Sequence, residues 1–183
     1  GGVLCARILW TYSAALRRTA DPAHRRMADR AFDELRGRFR DAEHGGTYWM
    51  LDGSGRPLSD RKQTYALAFS LYGLAEYHRA TGSAEALERA VELQRAIEAH
   101  ASDPGHGGYW EARARDWGPL ADVRLSEKDR NAPKSMNTHL HVMEGYANLL
   151  RAWDDPGLRE RLRALVLLHL DRISEVFITD GSL

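Results

Sequence analysis

His44-Gly45-Gly46-Thr47-Tyr48-Trp49 returns 62 positions later as His106-Gly107-Gly108-Tyr109-Trp110. Such self-similarity has to be read before a fold is assigned, because it marks a structural unit used more than once. Working outward from these loops, Arg18-Thr19-Ala20-Asp21-Pro22, Arg79-Ala80-Thr81-Gly82-Ser83 and Arg151-Ala152-Trp153-Asp154-Asp155-Pro156 hold one equivalent place, each a turn between two stretches of helical periodicity. The unit is two antiparallel helices plus a glycine-aromatic loop, and three such units fill the chain.

The periodicity predicts six helices. Val3 to Arg18 carries Leu4, Ile8, Leu9, Tyr12 and Leu16 as an amphipathic stripe. Asp21-Pro22 supplies an N-cap and a proline at the first helical position for a second helix running through Met27, Ala31, Phe32 and Leu35 to Phe39. Between Arg40 and Arg61 the period changes, and Thr47 to Leu51 followed by Asp52-Gly53-Ser54-Gly55 reads as a short β-hairpin or irregular loop. A third helix is expected over about Lys62–Ala80, with Tyr65, Leu67, Phe69, Leu71, Leu74 and Tyr77 on a wide apolar surface. The fourth covers about Ser83–Ala101, the fifth starts near Lys134, and the sixth runs over about Pro156–Val176. The class is all-α with short β excursions.

An array of hairpins either stacks as an open solenoid, with polar caps at its ends, or curls until its ends meet. The chain starts on Val3-Leu4 within a helix and stops at Phe177-Ile178-Thr179-Asp180-Gly181-Ser182-Leu183, where the next loop should begin. The expectation is an incomplete ring, three hairpins being half of a six-hairpin toroid.

Composition narrows the function. A chain of 183 residues, 43% hydrophobic and 28% charged, can bury a sizeable core. Lys plus Arg and Asp plus Glu stand at 26 each, so no excess of positive charge is present to hold nucleic acid or an acidic membrane surface. The longest apolar run, Ala164 to Leu168, is far short of the roughly 20 residues of a membrane span, and no signal-peptide pattern is visible. Cys5 is the only cysteine and has no internal partner, which fits a reducing, cytoplasmic compartment. A small neutral ligand is the expected partner.

The chemistry gathers at the starts of helices. Pro133 and Ser135 open the fifth helix, and Met136, Leu140, Met143 and Ala147 recur along it at helical spacing. Asn137 and His141 then share one face, one turn apart, with His139 roughly opposite. A histidine in this setting either lines a site or bonds a neighbouring carbonyl in the core. Arg7, among Leu4, Ile8 and Leu9, is either a surface stem with its head in water or a fixed donor into a cavity. Tyr65 on the third helix carries the same two readings. These residues fall near the start of the first helix of their respective hairpins, so an inward-curling array would bring them to one end of a common cavity.

The loop aromatics Tyr48, Trp49, Tyr109, Trp110 and Trp117, with Glu111, suit the apolar faces and polar edges of sugar rings, or else pin the loops to the helix ends. Metal binding is not expected: His139 and His141 cannot readily chelate together, and His44 and His106 sit at equivalent architectural positions. No phosphate-cradling glycine loop precedes a helix, and neither G-x-S-x-G nor C-x-x-C is present.

Ala6-Arg7-Ile8-Leu9-Trp10-Thr11, Asp60-Arg61-Lys62-Gln63-Thr64-Tyr65, Gly107-Gly108-Tyr109-Trp110-Glu111 and Asn131-Ala132-Pro133-Lys134-Ser135-Met136-Asn137-Thr138-His139-Leu140-His141 together resemble the N-acylglucosamine 2-epimerase superfamily, and within it the cellobiose 2-epimerases. The match runs the whole length in register, and its last motif is the most specific.

The resemblance implies a fold and a reaction. Residues 1–183 would be a partial (α/α)6-barrel domain, its three hairpins about half of the barrel, with N-terminal helices and the C-terminal half missing. The reaction would convert the reducing-end glucose of a β-1,4-linked disaccharide such as cellobiose or lactose to mannose, by ring opening, deprotonation at C2, a cis-enediolate and reprotonation on the other face, without metal or other cofactor. Arg7 would hold the carbonyl and enediolate oxygens as a catalytic residue, and His141 would be an essential catalytic histidine. Tyr65, Asn137 and Trp110 would bind the sugar. The C2 acid/base pair would belong to later helices, so this chain alone would be inactive, and the whole protein is expected to be a monomer. Close relatives of that reading are N-acylglucosamine 2-epimerase and mannose isomerase. The rival classes are a non-catalytic helical-repeat binding protein and a carbohydrate hydrolase or lyase, which would need two carboxylates from among Glu111, Glu144 and Asp129.

Overall fold

The computed structural model describes residues 1–179, with side chains as far as Asp171. The close of the chain at 180–183, part of the stretch expected to lead into a next loop, lies outside the described residues.

Six helices account for most of the chain: α1 (Gly2–Thr19), α2 (Pro22–Arg36), α3 (Thr64–Thr81), α4 (Ala84–Ala96), α5 (Met136–Leu150) and α6 (Pro156–Thr179). Their starts follow from capping. The Asp21 carboxylate accepts the Ala23 N–H at 2.7 Å ahead of Pro22 in α2. Ser83 and Ser135 accept from Ala86 and Thr138 at the heads of α4 and α5, and Asp155 accepts from Leu158 at the head of α6. α2 stops three residues short of Phe39, at Gly37, and Phe39 turns into the core from the following loop. α4 ends at Ala96 and continues as a π-helical turn over Ile97–Ala101.

α3 begins two residues later than periodicity predicts, because Lys62-Gln63 forms strand β3 and pairs antiparallel with β4 (Ala112–Arg113). The expected hairpin is present as β1 (Met50–Leu51) against β2 (Pro57–Ser59), with an irregular register.

The helices lie in two layers. α1 packs on α3 and α3 on α5 as an inner row, while α2, α4 and α6 each back their own hairpin partner. The inner helices run in the same direction, since leading turns meet leading turns (Arg7 with Phe69, Tyr65 with His141) and trailing turns meet trailing turns (Arg17 with Glu76, Arg79 with Asn148). Their closeness depends on glycine. A Cβ on Gly73 would lie 2.8 Å from the Ala6 carbonyl oxygen, and one on Gly145 would lie 3.0 Å from that of Ala68. The core fills the space between layers with Ala6, Leu9, Phe32, Leu67, Leu71, Leu74, Ile97, Val142, Tyr146 and Leu149.

The expected burial of two stripes is corrected here. On α5 the buried face is Thr138, Val142, Gly145 and Leu149, flanked by His139 and Tyr146, while Leu140 is 40% exposed and Met136 is also open. On α1 the buried residues are Gly2, Ala6, Leu9 and Ser13, and Leu4 is 64% exposed. An inner-row helix is enclosed by lateral neighbours and an outer partner, so its free side is the one facing away from the outer layer. That free side carries apolar groups, which periodicity alone reads as core.

Candidate functional site

The repeated loops set where two of the inner helices, α3 and α5, begin, each by the same bonds. The Asp41 carboxylate accepts from the Glu43 and His44 N–H groups through Oδ1 and from Lys62 Nζ at 2.7 Å through Oδ2. Sixty-two positions on, Asp103 accepts from Gly105 and His106 and from Lys134 Nζ at 2.6 Å. Each lysine precedes an inner helix, α3 or α5, and each lies over a loop ring, Lys62 5.0 Å from the Tyr48 centroid and Lys134 4.9 Å from that of Trp110. Lys62 and Asp41 are both fully buried. Burial alone would raise Asp41, but Arg115 and Lys62 outweigh it and hold the carboxyl well below the usual carboxylate range. The bond from Lys134 holds Asp103 down to about 2.

Glu111 then joins the two helix starts. Its carbonyl accepts the Thr64 N–H at 3.0 Å, and its buried carboxylate accepts the Ser135 hydroxyl at 2.7 Å and the Thr138 hydroxyl. Burial raises Glu111, and the two hydroxyl donors oppose that rise. His139 closes the frame from the buried side of α5. Its Nδ1 donates to the Ser135 carbonyl at 2.6 Å and its Nε2 accepts the Tyr109 N–H at 2.9 Å, with burial favouring the neutral ring. Gly108 has φ +73°, and a Cβ there would stand 2.3 Å from His139 Nε2, so only glycine fits.

The open side of α5 presents His141. Around the Phe69 ring gather the Arg7 guanidinium carbon at 5.7 Å, the Tyr65 ring at 5.0 Å and the His141 ring at 4.4 Å, while Tyr65 meets His141 edge-on at 4.8 Å and 84°. His141 Nδ1 lies 2.8 Å from Glu144 Oε2, one turn further along α5; the imidazole is 21% exposed and the carboxylate 51%. An ionised carboxylate only accepts, so Nδ1 carries a proton and Nε2 is the nitrogen left to exchange one. The cluster therefore offers an imidazole, an exposed guanidinium and a phenol over an aromatic floor, drawn from three helices that are not consecutive in the chain.

Three of the expected residues, Arg7, Tyr65 and His141, are thus brought together. Asn137 is exposed one turn before His141 and lines an adjoining cavity of about 280 Å³ with Glu111, Asp129 and Arg130. The Trp110 ring lies against Lys134 and Arg113, as the counterpart of Tyr48 in the repeat. Phe69 and Glu144 belong to the cluster, and each was findable by spacing, Phe69 four residues after Tyr65 and Glu144 three after His141. Neither of the hydrolytic carboxylate candidates Glu111 and Asp129 is free: Glu111 is tied under the start of α5, and Asp129 accepts from Ser126. Among the described residues no group of three or more His, Cys, Asp or Glu side chains is placed to hold a metal ion, and no helix is long and apolar enough to cross a membrane.

Comparison with known proteins identifies relatives along nearly the whole chain. The chain is 50% identical over 173 residues to a cellobiose 2-epimerase of Bacteroides fragilis, an alignment covering 94% of this chain and 44% of that protein. The solved cellobiose 2-epimerase of Spirochaeta thermophila superposes with a TM-score of 0.86 at 42% identity, over 92% of this chain and 42% of that one. A D-mannose isomerase structure, at 23% identity and TM-score 0.77 over 90% of this chain and 40% of its own, shares the fold. The chain thus spans less than half the length of the relatives it matches. The helical hairpins are those of the (α/α)6-barrel epimerases. With the sequence model of N-acylglucosamine 2-epimerase (GlcNAc 2-epimerase) matching residues 2–173, the chain belongs to that family.

Proposed function

We propose that the protein is a sugar 2-epimerase of the cellobiose type, acting on the reducing-end glucose of β-1,4-linked disaccharides, with these three hairpins forming about half of its (α/α)6 barrel. The observation that carries the reading is the His141–Glu144 pair set against Tyr65, Phe69 and Arg7. With Nδ1 tied to the carboxylate, His141 Nε2 takes the proton of the anomeric hydroxyl and hands it to the ring oxygen as the C1–O5 bond breaks, and the reverse transfer closes the ring. Arg7 lies over the reacting end, where its guanidinium stabilises the oxygen that becomes anionic. Removal of the C2 proton leaves its electron pair to form the C1–C2 double bond, with the C1 oxygen becoming the enediolate oxygen. A proton then returns to C2 from the opposite face. Tyr65 hydrogen-bonds the open-chain sugar above the Phe69 ring, and Asn137 reads a hydroxyl at the edge of the site.

The residues exchanging the C2 proton follow from the family resemblance and belong to other helices of the barrel. General acid–base steps contribute typically ~10²–10⁴-fold each, so this chain by itself should turn over no sugar measurably while the whole protein does. The test is to incubate the whole protein with cellobiose, lactose, mannose or N-acetylmannosamine in deuterated water. Deuterium at C2 of the reducing-end residue, with the reducing-end glucose of cellobiose converted to a mannose residue in the intact disaccharide and both changes lost in His141→Ala, is the expected result. Full exchange by the His141→Ala enzyme, or reaction only with N-acetylmannosamine, would overturn the assignment. Ketose formed from mannose would assign the aldose–ketose reaction instead.

A further inference from the structure

The inner helices end on a second polar constellation that the proposed reaction does not use. A cavity of about 460 Å³ opens between the trailing turns of α1, α3 and α5. Ten residues of helix separate Arg7 from Arg17, so it lies about 15 Å along α1 from the His141 cluster. Its side wall is the stacked pair Trp10 and Tyr72, with ring centroids 5.2 Å apart.

Four guanidinium groups line it. Arg17 and Arg79 each donate to the buried Glu76 carboxylate at 2.6 Å, one to each oxygen. Arg79 also donates to the Asn148 side-chain oxygen at 2.7 Å, while the amide nitrogen of Asn148 donates to the Tyr72 carbonyl at 3.2 Å. That leaves Arg18 and Arg151, both exposed, without an ion-pair partner among the described residues. Cations near helix C-termini are individually favoured by the helix dipole. The dipole does not account for four of them converging from three helices on one cavity with a single carboxylate, in a chain whose charges balance overall. Glu76 is occupied by two of the four, which leaves the other two as donors at the mouth of the cavity.

We infer that this cavity is a binding site for a tetrahedral oxyanion of the phosphate class, either free or as a phosphate ester. Arg18 and Arg151 clamp it, Arg17 and Arg79 are held in place by Glu76, and the Trp10–Tyr72 wall faces any organic group the phosphate carries. Planar guanidinium forks match the oxygens of such an ion two at a time.

The experiment is calorimetric titration of the full chain with inorganic phosphate and, separately, phenyl phosphate, at ionic strength matched with sodium chloride. Saturable binding of at least one probe is expected, weakened about tenfold or more in both Arg18→Gln and Arg151→Gln, since each removes charge-assisted bonds to the ion. Arg151→Lys, which keeps the charge and loses the fork, should fall between. Equal affinity for the two probes assigns the free ion, and tighter phenyl phosphate assigns an ester seated on the aromatic wall. Heats no different from chloride, or affinities unchanged in both glutamine variants, overturn the inference. The circular-dichroism melt checks that both variants keep their fold. No sugar turnover is read, so failure here leaves the epimerase proposal standing.

Discussion

At the scale of single residues, the proposed chemistry rests on the contact between His141 and Glu144. His141→Ala should lower kcat of the whole enzyme by at least about 10²-fold, the low end of a general acid–base contribution. Glu144→Gln offers Nδ1 an amide that can donate as well as accept, so the ring is no longer confined to one tautomer. The expected outcome is about a tenfold loss in kcat with KM little changed, and a mixture of ring tautomers by nitrogen NMR where the parent shows Nδ1–H alone. An unchanged tautomer ratio would remove Glu144 from this role. Asn137 and His141 were legible as a pair because a four-residue interval on a helix is local geometry. Phe69 was legible only as one more member of an apolar stripe, since its role as floor for Arg7, Tyr65 and His141 depends on contacts between three helices.

At the scale of elements, the loops and caps carry the positional accuracy. Gly108→Ala would drive a methyl group into His139 Nε2 and force a non-glycine residue to φ +73°. The bond from Tyr109 N–H would be lost, and destabilisation of roughly 2 kcal/mol or more is expected by chemical denaturation. α1 and α3 end alike in a left-handed residue bonded back into the helix, but α1 uses Ala20 at φ 54° where α3 uses Gly82. Ala20→Gly should therefore stabilise the protein by up to about 1 kcal/mol, and Gly82→Ala should destabilise it by a similar amount. Helix starts were readable from Asp21-Pro22, Ser83 and Ser135, whose caps are local. The β3–β4 pairing was not, because two strands of two residues have no periodicity and exist only where Lys62-Gln63 and Ala112-Arg113 are brought together by the frame.

At the scale of the whole molecule, the buried Asp41–Lys62 bond and its counterpart Asp103–Lys134 join each loop to the next inner helix. Both carboxyls titrate lower in the folded chain than unfolded, so their stabilisation is complete above the ordinary carboxylate range near 4 and is lost as pH falls. For Asp103 the loss runs down to about 2. Melting temperature should fall steeply between about pH 4 and pH 2, and Asp103→Asn should be less stable at neutral pH with a flatter acid limb. A parallel acid limb in the variant would show that the bond is not the source. Packing sets a second expectation. Gly73→Val presses a branched side chain onto the Ala6 carbonyl and should separate α1 from α3 at a cost of roughly 1–3 kcal/mol, read by denaturation, and move Arg7 away from Phe69, read as lower activity of the whole enzyme.

The sequence by itself determined the helical hairpins, their turns, the 62-residue repeat and the leading-end positions of Arg7, Tyr65 and His141. Those features are encoded by intervals within one helix or one loop, where neighbours along the chain are neighbours in space. Only the tertiary structure decided which face of each inner helix is buried, that Trp110 braces Lys134 while Phe69 floors the site, and that four arginines share one cavity. Those outcomes depend on which helices lie side by side. That is settled by close approach at Gly73 and Gly145 and by the aspartate–lysine bonds, contacts between distant residues that no local period records.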